Sequence, residues 1–273
     1  MTSENKPLLS VIIPSFNSEK TIRACIDSVV GQSYGNIEII VVDGLSSDTT
    51  TNILREYESL HPNLKWTSEK DEGIYDAINK GIRRSKGDWI YILGSDDRLY
   101  ESKTLETVVS FLGERNEGVV YGNVKVKGDA GWAVDGQIHD GEFDLEKLLN
   151  RNICQQAVFY HRSLFEKIGY FNTEYPICAD WDFMLHCAAK SSMKFMNVIV
   201  AEFNGGGASK TNKEEKFYND FAQNMFAYFR FRIFRKDFKT FSWRFKKYSE
   251  TQKASGKRIS AFFFNLVYNR LNS

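Results

Sequence analysis

The sequence predicts an α/β fold built on an open, mostly parallel, Rossmann-like sheet that is flanked by helices. Apolar runs alternate with helical stretches from the start of the chain, as in successive βαβ units. Runs such as SVIIP and IEIIVVD also lack polar residues at alternate positions, which is expected when helices cover both faces of a sheet. With 273 residues, the chain is long enough for one large domain and an appendage.

The first hundred residues alternate most regularly. Ligands of such sheets collect beyond the carboxyl ends of the strands, so the residues that follow the strands are candidates for binding. Strands are predicted at Leu8–Pro14, Ile37–Asp43, Leu64–Thr67 and Trp89–Leu93, with helices at Thr21–Val30, Asp48–Leu60 and Ile74–Arg84 between them. The residues at their carboxyl ends are Ser15, Asn17, Asp43 and Asp96.

After a helix at Ser102–Leu112, the second half is predicted to be mixed rather than strictly alternating. The predicted strands are Val119–Tyr121, Val124–Lys127, Trp132–Val134, Gln156–Tyr160 and Lys194–Val200, and the helices are Arg162–Ile168 and Trp181–Lys190.

Composition limits the functional classes. Four widely spaced cysteines without a CxxC pattern or a preceding apolar leader predict reduced thiols in the cytoplasm. No run approaches the ~20 apolar residues of a membrane span. The formal charge of +1 conceals an asymmetry, since residues 221–273 hold 12 Lys and Arg against 2 Asp and Glu and so carry +10.

The segment WIYILGSDDRL places Asp96 and Asp97 directly after a buried strand. Adjacent carboxylates at the rim of a sheet repel one another unless water or a cation relieves them. Hard oxygen ligands of this kind suit Mg²⁺ or Mn²⁺, which also hold substrate phosphates. A solvated Asp-Asp turn is the alternative.

Other polar residues also have two interpretations. Asp43 ends a strand and either accepts hydrogen bonds from a base or ribose or only shapes a turn. Asn79 is a poor helix former inside a predicted helix, so its amide either binds a backbone loop or ligand or is solvated. Asp180 is interpreted as an N-cap or as a general base, with Asp182 as a first-turn acid. Gly205–Gly207 form either a loop that folds over phosphates or a linker.

Five motifs, taken together over about residues 8–210, resemble the bacterial family 2 glycosyltransferases of the GT-A fold. The resemblance is closest to the subgroup that builds capsule, O-antigen or colanic-acid polysaccharides. The motifs are SVIIPSFN, IIVVDGLSSDTT, SEKDEGIYDAINKGI, GSDD and ADWDFMLH.

The resemblance implies a site residue by residue. Asp43 would contact the base, typically uracil, Asp71 would help to hold the nucleotide-sugar, and Asp180 would be the catalytic base. Asp96 matches the last Asp of the DXD metal motif, with Asp97 as a second ligand for Mn²⁺ or Mg²⁺. The first Asp of that motif is Gly94 here, and the Glu that precedes the base is Ala179. The remaining implied donor-binding residues are Pro14, Ser15, Asn17, Asn79 and Ser95.

The implied activity is metal-dependent, inverting transfer of one hexosyl or N-acetylhexosaminyl unit from a nucleotide-sugar, typically a UDP-sugar. The acceptor would be a saccharide carried on a polyprenyl diphosphate at the inner face of the membrane. The QxxRW signature of processive synthases is absent after Asp180, which favours single addition. A nucleotidyltransferase is a weaker rival because PSFNSEK is not a basic Gly-rich loop, and a non-catalytic nucleotide-sugar-binding or scaffold protein is the second alternative.

The domain organisation predicted is a GT-A domain over 1–212, with a nucleotide half over 1–100 and an acceptor half over 101–212. A helical, basic and aromatic extension follows over 213–273. Its apolar residues recur at spacings of three and four, which predicts one amphipathic helix that binds a membrane surface. Docking on protein, including a homodimer seam, is the alternative, and nothing else supports nucleic acid. The apolar residues are Phe231, Phe234, Phe238, Phe241 and Phe245.

Overall fold

A nine-stranded mixed sheet forms the centre of the protein. The computed structural model describes residues 6–112, 118–206 and 214–273. The strands are β1 (Leu9–Ser15), β2 (Ile37–Asp43), β3 (Leu64–Ser68), β4 (Trp89–Ile92), β5 (Arg98–Leu99), β6 (Val119–Lys127), β7 (Ile138–His139), β8 (Val158–His161) and β9 (Met193–Asn204). Their order is β3-β2-β1-β4-β8-β6-β9-β5, and β7 pairs with β6 outside this path.

Helices cover the sheet and continue into the C-terminal segment. Short 3₁₀ helices at Gln155–Ala157, Arg230–Phe234 and Lys236–Phe241 connect several of the elements. The α-helices are α1 (Ile22–Val30), α2 (Thr50–Leu60), α3 (Ile74–Arg84), α4 (Thr104–Val109), α5 (Leu145–Asn150), α6 (Ser163–Ile168), α7 (Ala179–Lys190), α8 (Glu215–Phe229), α9 (Ser242–Ala254) and α10 (Arg258–Asn272).

The predicted α/β class is confirmed. Strands β1 to β4 pair in parallel, and every residue of β1 is buried, as expected for a strand covered on both faces. The second half is mixed, as predicted, because β8 runs antiparallel to both β4 and β6. The carboxyl ends of β1, β2 and β4 therefore meet at one edge of the sheet.

Two details of the second half were predicted wrongly. The strands expected on either side of Gly122 form the single strand β6, whose pairing with β9 shifts register around Asn123. Trp132–Val134 is not a strand but lies in bends and irregular backbone before β7. Neither feature could be predicted from the sequence. The irregular register within β6 breaks its apolar alternation into two short runs, and the apolar residues at Trp132–Val134 lie in a long turn rather than a strand.

The prediction of one long helix with a continuous phenylalanine face is wrong. Arg235 is extended (φ −73°, ψ 153°) and separates two 3₁₀ helices, so the periodicity of a single α-helix does not apply. Phe238 and Phe245 are fully buried, and they join the same hydrophobic core as the sheet, whereas Phe231 is 75 % exposed. Among the described residues, no helix is long and apolar enough to span a bilayer.

Removing a ring from this segment tests the packing. We expect Phe238→Ala to lower the free energy of unfolding by about 3–5 kcal/mol, because it leaves a cavity beside Phe229 and Phe245. The matched control Phe231→Ala removes an exposed ring and should change stability by less than about 0.5 kcal/mol. Urea denaturation measures both, and equal effects would contradict the packing.

Candidate active site

An open cleft of about 540 Å³ lies at the carboxyl edge of the parallel strands. This volume is in the range of small-molecule sites. The ring of Phe16 is 63 % exposed at this cleft, although large aromatic side chains are usually buried. The lining residues are Phe16, Asn17, Ser18, Glu19, Lys20, Thr21, Asp48, Ser95 and Asp96.

Asn17 holds the turn after β1 against the turn after β2. Its backbone is left-handed (φ 48°), a conformation that Asn tolerates better than most residues. Its Oδ1 accepts a hydrogen bond from the Ser47 N–H at 2.9 Å, and its own N–H donates to Ser46 Oγ at 2.7 Å. Asn17 therefore lines the cleft and also shapes it.

Asp43 lies beneath these turns and is fully buried. It accepts hydrogen bonds from the Ser46 N–H at 3.0 Å, from the Ser46 hydroxyl and from the Ser68 hydroxyl at 2.6 Å. Pro14 and Ser15 complete β1 and are buried, and the Ser15 hydroxyl has no hydrogen-bond partner. Because Asp43 is 0 % exposed, its carboxylate offers no open surface to a base in this structure.

Asp71 closes the same edge from the loop before α3. Its Oδ1 accepts a hydrogen bond from the Gly73 N–H at 3.0 Å. A Cβ at Gly44 would lie 2.4 Å from Asp71 Oδ2 and 3.5 Å from the Phe16 ring, so a larger residue there would displace the Asp71 carboxylate. Asp71, Phe16 and the turn after Asp43 are therefore neighbours.

The two aspartates after β4 have opposite environments. Asp96 is exposed and lines the cleft together with Ser95, whose Oγ lies 2.8 Å from Ser18 Oγ. Asp97 is 3 % exposed, and its oxygens accept hydrogen bonds from the Asn204 N–H and the Gln156 amide, both at 2.7 Å. Burial, and then the charge of Asp96, raise the pKa of Asp97 to about 8.

Gly94 is required by Asp97. A Cβ at position 94 would lie 2.5 Å from Asp97 Oδ2 and 3.0 Å from Asp96 Oδ1. The Asp97 carboxylate thus occupies the space that an acidic side chain at position 94 would need.

Of the two predicted metal ligands, Asp96 is the one whose carboxylate is exposed in the cleft and open to a divalent cation. Mg²⁺ commonly takes one or two protein carboxylates and completes its shell with water and substrate phosphates. Both oxygens of Asp97 already accept hydrogen bonds from protein donors, so Asp96 is the more accessible of the two predicted ligands. Within residues 6–112, 118–206 and 214–273, no cluster of three or more acidic, His or Cys side chains could hold a metal by itself.

Asn79 does not face the cleft. It is 3 % exposed, its amide nitrogen donates to the Phe171 carbonyl at 2.9 Å, and its Oδ1 accepts from the Phe171 N–H at 3.1 Å. The amide therefore binds a backbone loop, which was one of the alternatives. Its prediction as a donor-binding residue is wrong, because both polar atoms are used inside the protein.

Asp180 lies on the other side of the site, at the start of α7. It lies inside the first turn of α7, whose N-cap position is Cys178, so the N-cap interpretation is wrong. Burial raises the pKa of Asp180 to about 6, although polar neighbours, first Tyr75 and then the Trp181 N–H that donates to Oδ1 at 2.8 Å, partly oppose this shift. A half-buried carboxylate with such a pKa can accept a proton near neutrality.

Glu214, a residue that sequence reasoning missed, holds the loop before Asp180. Its Oε2 accepts hydrogen bonds from the N–H groups of Ile177, at 3.0 Å, and Cys178, at 2.7 Å. On the other side of the loop, the Tyr75 hydroxyl donates to the Ile177 carbonyl at 2.9 Å. Glu214 is 7 % exposed, so this clamp is shielded from water.

Asp182 is more than a first-turn acid. It is 6 % exposed and accepts hydrogen bonds from the Tyr228 hydroxyl at 2.9 Å and the Asn224 amide at 3.1 Å, which join α7 to α8. Burial raises the pKa of Asp182 to about 6.

The predicted glycine loop is only partly within the described residues. Gly205 packs against the backbone of Asp129 and Ala130, where a Cβ would lie 2.7 Å from the nearest atom. Gly207 lies outside the described residues, as does the predicted domain boundary between residues 212 and 213.

Sequence reasoning also missed Phe16 and Lys20. Phe16 stands inside the quoted motif SVIIPSFN, and an aromatic residue after a buried strand was the signal available. Lys20 lines both the cleft and an adjoining pocket of about 230 Å³ that contains Asp96, Arg98 and Asn204. Nothing in the sequence pattern indicated that Lys20, which lies just before α1, would face the carboxyl edge of the sheet.

Two known proteins are similar to this chain in sequence. A 39 % identical relative over 218 residues is the PGL/p-HBAD biosynthesis glycosyltransferase of Mycobacterium tuberculosis, with 77 % of this chain and 82 % of the relative covered. Chondroitin synthase of Escherichia coli is 27 % identical over 198 residues, which cover 72 % of this chain and 29 % of that protein.

Solved structures share the fold. Staphylococcus aureus TarS 1–349 in complex with UDP-GlcNAc has a TM-score of 0.70 at 20 % identity, covering 95 % of this chain and 81 % of that one. The mannosyltransferase PcManGT of Pyrobaculum calidifontis, in complex with GDP-Man and Mn²⁺, has a TM-score of 0.57 at 17 % identity, covering 98 % and 86 %. The model of glycosyl transferase family 2 matches residues 10–169, and the chain belongs to this family of GT-A glycosyltransferases.

Proposed function

We propose that this glycosyltransferase moves one sugar from a UDP-sugar to a hydroxyl of a saccharide acceptor, with inversion at the anomeric carbon. The observation that carries the proposal is the open cleft at the carboxyl edge of the parallel strands, which Asp96 lines in a chain of this family. The pKa of the buried Cys154 thiol is raised first by burial and then by the charges of Asp97 and Asp180, which supports a short separation between the two acidic centres. A sugar bound between them would have its diphosphate towards Asp96 and an attacking hydroxyl towards Asp180.

The donor would occupy the cleft at the edge of β1, β2 and β4. The exposed ring of Phe16 offers a stacking surface for a base, Asp71 lies beside it, and Asp43 is buried beneath the neighbouring turn. The UDP-GlcNAc held by the TarS structure of the same fold supports a uridine donor. Pro14, Ser15, Asn17 and Ser95 would shape this end of the pocket.

A divalent cation, Mn²⁺ or Mg²⁺, would bind Asp96 together with the donor phosphates. When bound, such an ion neutralises charge that develops on a departing diphosphate. Lys20 lines the cleft beside Asp96 and would add a further positive charge there. Asp97 would keep the turn in place rather than bind the ion.

Asp180 would be the general base. Its pKa of about 6 leaves it ionised near neutral pH and able to take the proton from an acceptor hydroxyl. The hydroxyl oxygen would form a bond to the anomeric carbon as the bond to the diphosphate breaks on the opposite face. This single displacement inverts the configuration.

The acceptor is proposed to be a saccharide linked to a polyprenyl diphosphate in bacterial surface polysaccharide synthesis, at the inner face of the membrane. The mycobacterial relative named for PGL/p-HBAD biosynthesis supports a glycan assembly role. The second candidate is a non-catalytic nucleotide-sugar-binding protein, which Gly94 and Ala179 favour because both replace acidic residues of the family pattern.

Nucleotide binding tests the donor site and the role of Asp96. We expect calorimetry to show that Mn²⁺ tightens UDP binding by at least about tenfold, about 1.4 kcal/mol. Asp96→Ala should lose this enhancement, because the remaining protein oxygens cannot hold the ion. The control Glu101→Ala changes an exposed acid outside the cleft and should behave as wild type. A UDP affinity that changes neither with Mn²⁺ nor with the Asp96→Ala substitution would refute the assignment of Asp96 as a metal ligand.

The pH dependence of transfer tests the base. Because Asp180 must be ionised to accept a proton, kcat/KM should rise with pH through about 6 and level off above 7. Asp180→Asn should lower kcat by about 10²–10⁴-fold while the donor still binds. Glu174→Gln changes an exposed acid near the same loop and serves as the control. An unchanged kcat in Asp180→Asn would favour the non-catalytic candidate.

The clamp at Glu214 makes a separate prediction. Glu214→Ala leaves two partly buried N–H groups without their acceptor and should cost up to about 1–3 kcal/mol of stability for each. At a temperature where the variant stays folded, kcat should fall while the KM for the donor stays constant, because only the Asp180 loop moves.

Glu214→Gln keeps an acceptor oxygen and should restore much of both properties, whereas Glu215→Ala removes an exposed neighbour and should change neither. A rise in donor KM with constant kcat would show that Glu214 supports the donor cleft instead.

A further inference from the structure

Helix α10 has an exposed apolar face that the phenylalanine pattern did not indicate. Ile259 is 89 %, Phe262 72 % and Leu266 49 % exposed, and their spacings of three and four place them on one side of the helix. Ile259 has the highest exposed fraction of any large apolar residue in the described part of the chain.

The opposite side of α10 is fixed to the protein. Phe264, Val267 and Leu271 are buried in the common core, and the Phe263 ring packs 4.7 Å from the Phe226 ring of α8. The helix is therefore formed and oriented before it meets any partner, so binding through its outer side needs no folding step.

The hairpin formed by α9 and α10 is strongly basic. Residues 242–273 contain seven Lys and Arg and one Glu, a formal charge of +6. Lys257 and Arg258 flank the start of the exposed face, Arg270 flanks its end, and all three are exposed. Lys246, Lys247 and Lys253 are exposed on α9, beside α10.

We propose that the α10 outer face, defined as Ile259, Phe262 and Leu266 with their basic flanks, binds the surface of an anionic phospholipid bilayer. Apolar side chains that enter the boundary between headgroups and acyl chains, with cations at the headgroups, are the two contributions that interfacial helices use. The face meets both requirements on a single rigid element.

The positive charge of the α9–α10 hairpin also distinguishes among the possible partners of this face. A second copy of the chain would bring together two surfaces of +6 each, which repel one another. Nucleic acid would match the charge, but only Phe262 of the three apolar residues has a ring on which a base could stack, and Ile259 and Leu266 would gain nothing from it. An anionic bilayer uses both the charge and the aliphatic groups.

Vesicle flotation tests the proposal in the full-length chain, without any sugar transfer. We expect wild type to float with vesicles of phosphatidylcholine and phosphatidylglycerol but not with pure phosphatidylcholine, and to dissociate in high salt. Ile259→Asp with Phe262→Asp should lose at least about 90 % of the bound fraction. Lys257→Gln and Arg258→Gln should each weaken binding about fivefold, the equivalent of about 1 kcal/mol per charge.

Leu60→Asp, at a 65 % exposed position on α2, is the control for adding charge to an exposed apolar site and should float as wild type. Thermal unfolding and UDP binding of each variant show that the fold and the donor cleft are intact, so this proposal and the proposed function fail independently. The proposal would be overturned if the bound fraction were the same with charged and uncharged vesicles, or if the double substitution left it unchanged. It would also be overturned if the protein formed a concentration-dependent dimer without vesicles and the same substitutions abolished that dimer.

Discussion

One buried carboxylate, Asp97, joins three strand ends at the centre of the site. It lies in the turn after β4, accepts the Asn204 N–H at the end of β9, and accepts the Gln156 amide just before β8. Burying a carboxylate beside another one is unfavourable, and the raised pKa of Asp97 expresses that cost. The protein offsets it with two short hydrogen bonds, and these fix the backbone that presents Asp96 to the cleft. Gly94 follows from the same constraint, because a side chain there would collide with the carboxylate.

The parallel half of the fold and the edge where the site lies could be predicted, because strand runs and turn residues are local signals. The exposure of Asp96 and the burial of Asp97 could not, since two adjacent identical residues differ only through Gln156 and Asn204, which are distant in sequence. Asn79 shows the same limit: its odd position in a helix was visible, but its partner Phe171 is 92 residues away.

The phenylalanine pattern failed for a different reason. Spacings of three and four define a face only while the backbone stays helical, and the extended Arg235 interrupts it. Phe238, Phe241 and Phe245 then turn inward and complete the core, whereas Phe231 stays exposed. Ile259, Phe262 and Leu266, for which no shared face was predicted from the sequence, lie at the surface. Apolar periodicity identifies residues that share a side of a helix, and only packing decides whether that side meets protein or solvent.

The C-terminal segment holds the helix that carries Asp180, although the family model ends at residue 169. Glu214 binds the N–H groups of Ile177 and Cys178 just before Asp180, and Asn224 and Tyr228 bind Asp182 two residues after it. The segment thus holds the start of α7 at two points, through hydrogen bonds to the buried carboxylates of Glu214 and Asp182. Helix α9 packs against α8, and α8 in turn binds Asp182 near the start of α7. The proposed bilayer surface and the proposed base therefore belong to one continuously packed unit.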